Sequence, residues 1–281
     1  MRDLDCQEIT KTVSTLFQEA CLYLPEDVLT AIKRARDKEE SPAARDALDS
    51  ILENSKIASA EKTPLCQDTG TAVVMLELGQ EVHITNGDLS QAINEGVRQG
   101  YKNGYLRMST VSQPFSARIN VADNTPAIIH TDIVPGDRLK ITVMPKGAGS
   151  ENMTRLTMLS PSQGRQGVID FVVNTVDEAG SNPCPPVIVG VGIGGTAEQT
   201  LLLAKKALLR QVGVPSGDAE TAELEKEILK RVNKLGIGPL GYGGRTSALA
   251  VHIETFPAHI ASLPVAVNLQ CHTARHKEAI L

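Results

Sequence analysis

The sequence predicts a mixed α and β protein, with a helical N-terminal segment followed by β-sheets packed with helices. Residues 5 to about 60 carry apolar residues at helical spacing. Later segments combine Val- and Ile-rich runs with turn signals, and glycine-rich loops separate them. We therefore expect a single domain over residues 1–281, with a helical segment at 1–60 and an α/β core at 61–281.

The N-terminal helices are predicted from their start signals. Pro25-Glu26-Asp27 is typical of the first turn of a helix, where acidic residues are favoured. Ser41-Pro42 places an N-cap residue before a proline at the first helical position, which predicts a helix over 42–58. Cys6 and Cys21 fall within helical patterns, so we interpret both as packing residues.

The remaining elements follow from periodicity and capping. Asp88 is a suitable N-cap for a helix that runs to about Tyr101. Strands are predicted at 71–78, 128–144 with a turn at 135–137, 187–191, 246–255 and 263–269. Further helices are predicted at 164–178, 196–210 and 220–235, and loops at 66–70, 146–150 and 236–244.

Composition excludes several classes of function. The 281 residues are 41% hydrophobic and 22% charged, with a net charge of −5, which indicates a soluble globular protein. The chain has no basic footprint for nucleic acid and no apolar run that could span a membrane. The N-terminus lacks the apolar core of a signal peptide, so we expect the protein in the cytoplasm, where thiols stay reduced.

Three cysteines are the most informative residues. Cys66, Cys184 and Cys271 lie far apart in the sequence, each in a polar or turn-like segment. Three such thiolates can hold an iron–sulfur cluster and leave one iron without a protein ligand. Five cysteines are, however, ordinary for this length, and no Cys-x-x-Cys pair indicates a metal site, so packing remains an alternative.

Two loops carry groups able to do chemistry. Cys66-Gln-Asp-Thr-Gly70 combines a thiol, an amide, a carboxylate and a hydroxyl, although an Asx-turn before a strand would need only Asp68 and Gly70. The backbone N–H groups of Lys146-Gly-Ala-Gly-Ser150 can form a nest for a carboxylate or phosphate. A tight connection between two elements is the alternative for this second loop.

Other patterns leave further alternatives open. Gly190-Val-Gly-Ile-Gly-Gly195 fits the spacing of a dinucleotide-binding turn, which would make the protein a nicotinamide-dependent oxidoreductase. No acidic residue follows at the position that contacts the ribose. Arg107 and Arg245 could each clamp a carboxylate or form a salt bridge.

Histidines near Cys271 could indicate zinc, although their spacing matches no standard zinc-binding pattern. They are His252, His259, His272 and His276. Among them, His259 lies in a constrained loop between Pro257 and Pro264, which favours a functional role.

Taken together, the motifs resemble the class I, iron–sulfur-dependent fumarate hydratases, specifically their separate α subunit, which is equivalent to the N-terminal domain of the single-chain enzymes. The resemblance runs in order over nearly the whole chain. Its motifs are Cys66-Gln-Asp-Thr-Gly70, Lys146-Gly-Ala-Gly-Ser150, Asn182-Pro-Cys-Pro-Pro186, Gly190-Val-Gly-Ile-Gly-Gly-Thr196, Leu235-Gly-Ile-Gly-Pro239, His252-Ile-Glu254, His259-Ile-Ala-Ser-Leu-Pro264 and Cys271-His-Thr-Ala-Arg-His276.

The resemblance implies a 4Fe-4S cluster bound by Cys66, Cys184 and Cys271, with its fourth iron open to act as a Lewis acid. It implies that the substrate is a small dicarboxylate, fumarate, which is hydrated reversibly to (S)-malate, a reaction of the citric acid cycle. The implied substrate-binding residues are Gln67, Asp68, Arg107, Gly149 and Asn152, and the implied catalytic residues are Asp68 and His259.

The resemblance also implies a β subunit that carries the remaining arginines, a lysine and a threonine of the active site, so we expect a hetero-oligomer. Ala148 departs from the third glycine that many relatives have in that loop. Tartrate dehydratase α subunits share the first cysteine motifs, and a related hydro-lyase is therefore the nearest alternative. The C-terminal motifs at His259 and Cys271 resemble those of fumarate hydratases. A non-catalytic metal-binding or regulatory subunit is a further alternative.

Overall fold

The computed structural model describes all 281 residues. The chain forms two compact units. The first unit consists of Met1–Leu24, Ser55–Ala148 and Arg275–Leu281, and the second of Pro25–Asn54 and Gly149–Ala274. The single domain over residues 1–281 stays a prediction.

The first unit contains a four-stranded mixed sheet, a two-stranded sheet and two helices. The helices are α1 (Cys6–Leu22) and α4 (Leu89–Asn103). The strands are β1 (Arg2–Asp5), β2 (Thr71–Gly79), β3 (Val82–Thr85), β4 (Ile128–Val134), β5 (Leu139–Lys146) and β10 (Lys277–Ile280). Strand order is β10-β5-β2-β4 in the larger sheet, and β1 pairs with β3 in the smaller one.

The second unit contains one four-stranded sheet and most of the helices. Its helices are α2 (Glu26–Lys38), α6 (Gly164–Ala179), α7 (Ala197–Ala207) and α8 (Ala219–Val232). Its strands are β6 (Arg155–Leu159), β7 (Val187–Gly194), β8 (Ala248–Phe256) and β9 (Leu263–Gln270), in the order β6-β9-β7-β8. Two helices, α3 (Pro42–Glu61) and the short α5 (Ala148–Glu151), continue from one unit into the other along the chain.

Each unit has its own apolar core. In the first unit, Ile9, Val13 and Phe17 of α1 pack with Val74 and Leu76 of β2. These residues recur at helical and strand periods respectively, so one face of each element is buried.

The core of the second unit joins α6 and α8 to one face of its sheet. Val172 of α6 and Ile228 of α8 are fully buried there, with Val189, Val267 and Ile253 of the sheet. The same core holds β7 and β9, the strands next to Cys184 and Cys271 in the sequence.

The predicted fold class is confirmed, as are the three N-terminal helices and the helix capped by Asp88, whose carboxylate accepts a hydrogen bond from the N–H of Gln91. Two details differ. The strands on either side of the 135–137 turn do not pair with each other, because β2 lies between β4 and β5. The predicted loop at 146–150 is partly helical, since α5 begins at Ala148.

No helix of the protein is both long enough and apolar enough to cross a membrane.

Candidate active site

Burial separates the five free thiols into two groups. Cys6 and Cys21 are buried in α1, as predicted. Burial raises the pKa of the Cys21 thiol to about 12, so it stays protonated and is a poor metal ligand. The other three cysteines are partly or fully exposed and lie outside helices and strands: Cys66, Cys184 and Cys271.

The loop that carries Cys66 is a tight turn held by the carboxylate of Asp68. Oδ1 of Asp68 accepts a hydrogen bond from the N–H of Gly70 at 2.9 Å, which confirms the Asx-turn considered from the sequence. Oδ2 accepts from the N–H of Ala148 at 2.8 Å. Gly70 has φ +79°, and a Cβ there would lie 2.6 Å from the carbonyl carbon of Pro145, so only glycine fits.

A buried tyrosine holds the carbonyl groups of the same loop. The hydroxyl of Tyr101, on α4, donates to the carbonyl oxygens of Thr69 and Gly70, at 2.8 and 2.9 Å. Burial raises the pKa of Tyr101 well above its ordinary value, so the hydroxyl remains a donor. The sequence identified Tyr101 only as the end of a helix, because an apolar helical face and a buried hydrogen-bond donor produce the same pattern.

Two further buried side chains complete this support. Asn124, fully buried, donates from Nδ2 to the carbonyl oxygen of Gly70 at 3.1 Å. Arg275, also buried, donates from Nη1 to the carbonyl oxygen of Asp68. Sequence reasoning missed both roles, although Arg275 stands within the Cys271–His276 motif.

Arg107 and Gln67 lie at the same loop. The carbonyl oxygen of Arg107 accepts a hydrogen bond from the Thr69 hydroxyl at 2.9 Å, while its guanidinium is exposed and forms no ion pair. Gln67 Oε1 accepts from the Cys66 thiol at 3.3 Å. The first unit therefore gathers Cys66, Gln67, Asp68 and the Arg107 backbone around one turn.

The second unit brings the segments of the other two cysteines together. Cys184 precedes β7 and Cys271 follows β9, and these strands are antiparallel neighbours in which Ile188 lies opposite Gln270. The carbonyl oxygen of Cys184 accepts hydrogen bonds from the backbone N–H of His272 at 3.4 Å and from its Nδ1 at 2.9 Å. Sheet register thus places two cysteines of distant sequence position side by side.

The local conformation presents both thiols rather than burying them. Cys184 has φ +55°, an uncommon conformation for a residue with a Cβ, and it is exposed. Cys271 Sγ lies 2.9 Å from the hydroxyl oxygen of Thr273. Uncommon backbone conformations of this kind cluster at functional sites.

Gly149 and Asn152, predicted to bind substrate, lie near this cysteine pair. A Cβ on Gly149 would be 3.0 Å from the carbonyl oxygen of Asn182, two residues before Cys184. Asn152 is exposed just after α5, and its neighbour Met153 accepts a weak hydrogen bond from Asn182.

Comparison with known proteins decides the family. The model of the family described as Fumarate hydratase (Fumerase) matches residues 10–280. The chain belongs to this family. It is 45% identical over 273 residues, 95% of each chain, to a Methanocaldococcus jannaschii protein named "Putative L(+)-tartrate dehydratase subunit alpha". It is also 32% identical over 272 residues, 95% of this chain and 89% of the relative, to an Escherichia coli L(+)-tartrate dehydratase subunit alpha.

His259, a predicted catalytic residue of this fumarate hydratase family member, lies away from Cys184 and Cys271. His259 follows β8, at the end of the sheet where β7 finishes, whereas Cys184 lies where β7 begins. The eight residues of β7 span about 23 Å. His259 is exposed, with Nδ1 accepting from the N–H of Ala261 at 3.1 Å. The second unit therefore does not bring His259 to its two cysteines.

The zinc alternative has no geometric support. His252 is buried in β8, 3.2 Å from the carbonyl oxygen of Ala207 through Nδ1. Desolvation, with a contribution from nearby Arg210, lowers the pKa of His252 to about 4. No group of three His, Cys, Asp or Glu side chains has the arrangement of a preformed metal-ion site.

The glycine run serves packing in this family member. Gly190 and Gly192 lie inside β7, and a Cβ on them would approach the carbonyl oxygens of Ala204 and Thr200, on α7, to 2.2 and 2.0 Å. The glycines let α7 lie directly on the strand, whereas a dinucleotide turn requires them after the strand. Arg245 forms the predicted salt bridge, with Glu40 at 2.5 Å.

Proposed function

We propose that the chain is the α subunit of an iron–sulfur hydro-lyase that reversibly hydrates fumarate to (S)-malate. The observation that carries the proposal is that the five thiols of this fumarate hydratase family chain fall into two groups. Two are buried in one helix, and three are presented from loops among polar groups. Such a division is expected where three cysteines bind a prosthetic group and two pack a core.

The proposed ligands are three cysteine thiols, the residue type that holds iron–sulfur clusters. Cys184 and Cys271 lie on adjacent segments, and Cys66 lies at the turn that the Asp68 carboxylate holds. We propose these three as the cluster ligands, with none from Cys6 or Cys21. When bound, a cluster with three protein thiolates offers an iron that acts as a Lewis acid on substrate oxygen and water.

The side chains of the first unit suit the dicarboxylate. The unpaired guanidinium of Arg107 can bind a carboxylate bidentately, and the Gln67 amide can donate to the same group. Asp68 is oriented by two backbone N–H groups, so its carboxylate is positioned to accept or return a proton at the substrate carbon. We also propose Gly149 and Asn152 as substrate-binding residues, since a backbone N–H and a side-chain amide can each donate to a carboxylate.

A substrate contact by His259 requires a second copy of the chain, because β7 separates it from the cysteines of its own unit. Co-expressing His259→Asn chains with Cys271→Ser chains tests this. Hybrid pairs would have one complete site, so activity should recover to about a quarter of the wild-type value, while each variant alone is inactive. No recovery in isolated hybrids would remove His259 from the site.

We further propose a hetero-oligomer with a β subunit, in the cytoplasm. The relatives are named as alpha subunits of tartrate dehydratase, which supports a separate partner. A dianionic substrate also needs more positive charge than Arg107 supplies in a chain of net charge −5. The chain alone should therefore bind its cluster and show little turnover.

L(+)-tartrate is the second candidate substrate, and the names of the relatives favour it. Both reactions exchange water across the same four-carbon dicarboxylate skeleton. Fumarate remains the first candidate because the motifs at His259 and Cys271 resemble the fumarate hydratase forms.

An anaerobic assay with the β subunit present separates the two. We expect malate formation from fumarate, with kcat/KM at least about tenfold above that for loss of water from L(+)-tartrate. The reverse ratio would establish a tartrate dehydratase, and no turnover of either would contradict the hydro-lyase proposal. Arg107→Lys should lower kcat/KM for the preferred substrate by about tenfold or more while the visible spectrum is unchanged. Arg138→Lys, at an exposed arginine after β4, is the matched control.

A further inference from the structure

The carboxylate of Glu151 ties the 149–152 segment, which carries Gly149 and Asn152, to two other elements. Its Oε1 accepts a hydrogen bond from Nζ of Lys205, on α7, at 2.6 Å. Its Oε2 accepts from Nδ2 of Asn268, on β9, at 2.9 Å. Helix α5 is only four residues long, too short to be stable through its own hydrogen bonds. The position of the segment therefore depends on tertiary contacts such as these.

The side-chain amide of Asn268 donates twice to this segment. Besides Glu151, Nδ2 donates to the hydroxyl oxygen of Thr154 at 2.8 Å, and that hydroxyl donates to the carbonyl oxygen of Glu151 at 2.7 Å. Asn268 is 1% exposed, and its Oδ1 atom is buried without a hydrogen-bond partner. A buried acceptor without a partner lowers stability, so packing of the core does not explain an asparagine at this position. What the side chain provides is two donors directed at one turn.

Lys205 supplies the charge that balances Glu151. Its side chain is 15% exposed, so water and salt screen this ion pair less than a fully exposed one. Lys205 lies in the last turn of α7, where a cation also interacts favourably with the helix dipole. Its neighbour Ala204 is fully buried and lies directly on Gly190 of β7, which fixes this turn relative to the sheet. Lys205 and Asn268 thus hold Glu151 from one sheet and from the helix that packs on it.

We propose that Lys205 and Asn268 are positioning residues. Through Glu151 they direct the backbone N–H of Gly149 and the side-chain amide of Asn152 towards a carboxylate of the substrate. The inference rests on the proposed function, in which Gly149 and Asn152 bind the dicarboxylate. Neither Lys205 nor Asn268 acts on the reacting carbon, so their loss should weaken substrate binding more than it slows the chemical step.

Kinetics with a charge-removing variant test the positioning role. Lys205→Met keeps an unbranched side chain but cannot pair with Glu151. With the cluster loaded and the β subunit present, KM for the preferred dicarboxylate should rise at least about fivefold, with kcat changed by less than about twofold. Lys205→Arg keeps the charge and should restore KM to within about twofold of the wild-type value.

Arg165→Met is the matched control for these kinetics. Arg165 pairs with Glu227 at 3.0 Å and joins α6 to α8 in the same unit, so its loss removes an ion pair without releasing Glu151. KM should not change in this variant. An unchanged KM in Lys205→Met, an equal rise in Arg165→Met, or a failure of Lys205→Arg to restore KM would overturn the inference.

Amide hydrogen exchange tests the same inference without turnover. In the full chain, Lys205→Met should speed exchange at least about tenfold at the N–H groups of Met153 and Thr154. Both donate to carbonyl oxygens of the preceding turn, at 3.3 and 3.0 Å. Arg165→Met should leave these two amides unchanged. Unchanged exchange in an active Lys205→Met enzyme would overturn this inference alone. If exchange is faster but the wild-type enzyme turns over neither dicarboxylate, the proposed function fails, and the substrate role of the segment fails with it.

Discussion

The carboxylate of Asp68 accepts a hydrogen bond from the backbone N–H of Ala148, with 2.8 Å between Oδ2 and N. Ala148 is the first residue of α5, so its N–H has no partner within that helix. The sequence indicated a nest of N–H groups at 146–150 that could bind a carboxylate. In the structure, the carboxylate at this N–H belongs to Asp68.

Asp68→Asn tests this arrangement. Asparagine has one acceptor oxygen, so the N–H of either Gly70 or Ala148 would lose its hydrogen bond. We therefore expect the free energy of unfolding to fall by about 1–3 kcal/mol. Hydration activity should fall at least about a hundredfold through loss of the ionisable group. Denaturant unfolding and kcat measure the two effects. Asp88→Asn is the control, because asparagine caps α4 as well as aspartate does; equal activity losses in both variants would remove Asp68 from the chemistry.

Tyr101→Phe should loosen the Cys66–Gly70 loop. The change removes a buried hydroxyl that donates to the carbonyl oxygens of Thr69 and Gly70, and Gly70 keeps only its bond from Asn124. The free energy of unfolding should fall by about 1–3 kcal/mol. Tyr105→Phe is the matched control, because Tyr105 is 91% exposed and should be neutral. Similar unfolding free energies for both variants would show that Tyr101 does not support the loop.

Gly192→Ala should separate α7 from β7. The added Cβ would lie 2.0 Å from the carbonyl oxygen of Thr200, which belongs to helix backbone and cannot move alone. We expect a loss of at least about 2 kcal/mol in the free energy of unfolding. Gly217→Ala, where a Cβ meets nothing within 4 Å, should change it by less than about 0.5 kcal/mol. A tolerated Gly192→Ala together with measurable nicotinamide-dinucleotide binding would revive the oxidoreductase alternative.

His252 predicts a defined pH dependence of stability. Its folded pKa, about 4, lies below the ordinary value of 6.5, so the unfolded chain binds the proton more readily. The stability that depends on neutral His252 is complete above pH 6.5 and is lost as the pH falls towards 4, by up to about 3 kcal/mol. His252→Asn should flatten the unfolding free energy over that window. An unchanged slope in the variant would assign the effect to other groups.

Elements with strong local signals were predictable from the sequence, whereas short strands were not. Ser41 and Asp88 marked the starts of α3 and α4 through capping side chains. Pro25 followed by Glu26 and Asp27 marked the start of α2 without a side-chain cap. Strands β1, β3, β6 and β10 were missed because four or five residues carry too little alternation to be distinguished from loop. Their pairing partners, rather than their own sequences, make them strands.

The candidate site was also predictable only in part from the sequence. The polar settings of Cys184 and Cys271 distinguished them from the buried cysteines, but only the pairing of β7 with β9 shows that their segments are neighbours. The support from Tyr101 and Asn124 depends on contacts across 31 to 54 residues of sequence, which no local pattern encodes. His259 is the opposite case. Its local motif predicted a site residue, but it lies at the end of the sheet opposite Cys184.

Anaerobic reconstitution of the cysteine variants tests the proposed cluster most directly. After reconstitution, the wild-type chain should contain about four iron and four sulfide per chain. Cys66→Ser, Cys184→Ser and Cys271→Ser should each retain little of either. Cys6→Ser and Cys21→Ser should match the wild type, because both thiols are buried in α1. Full iron and sulfide in any of the first three variants, or their loss in Cys6→Ser or Cys21→Ser, would contradict the proposal that three loop cysteines hold the cluster.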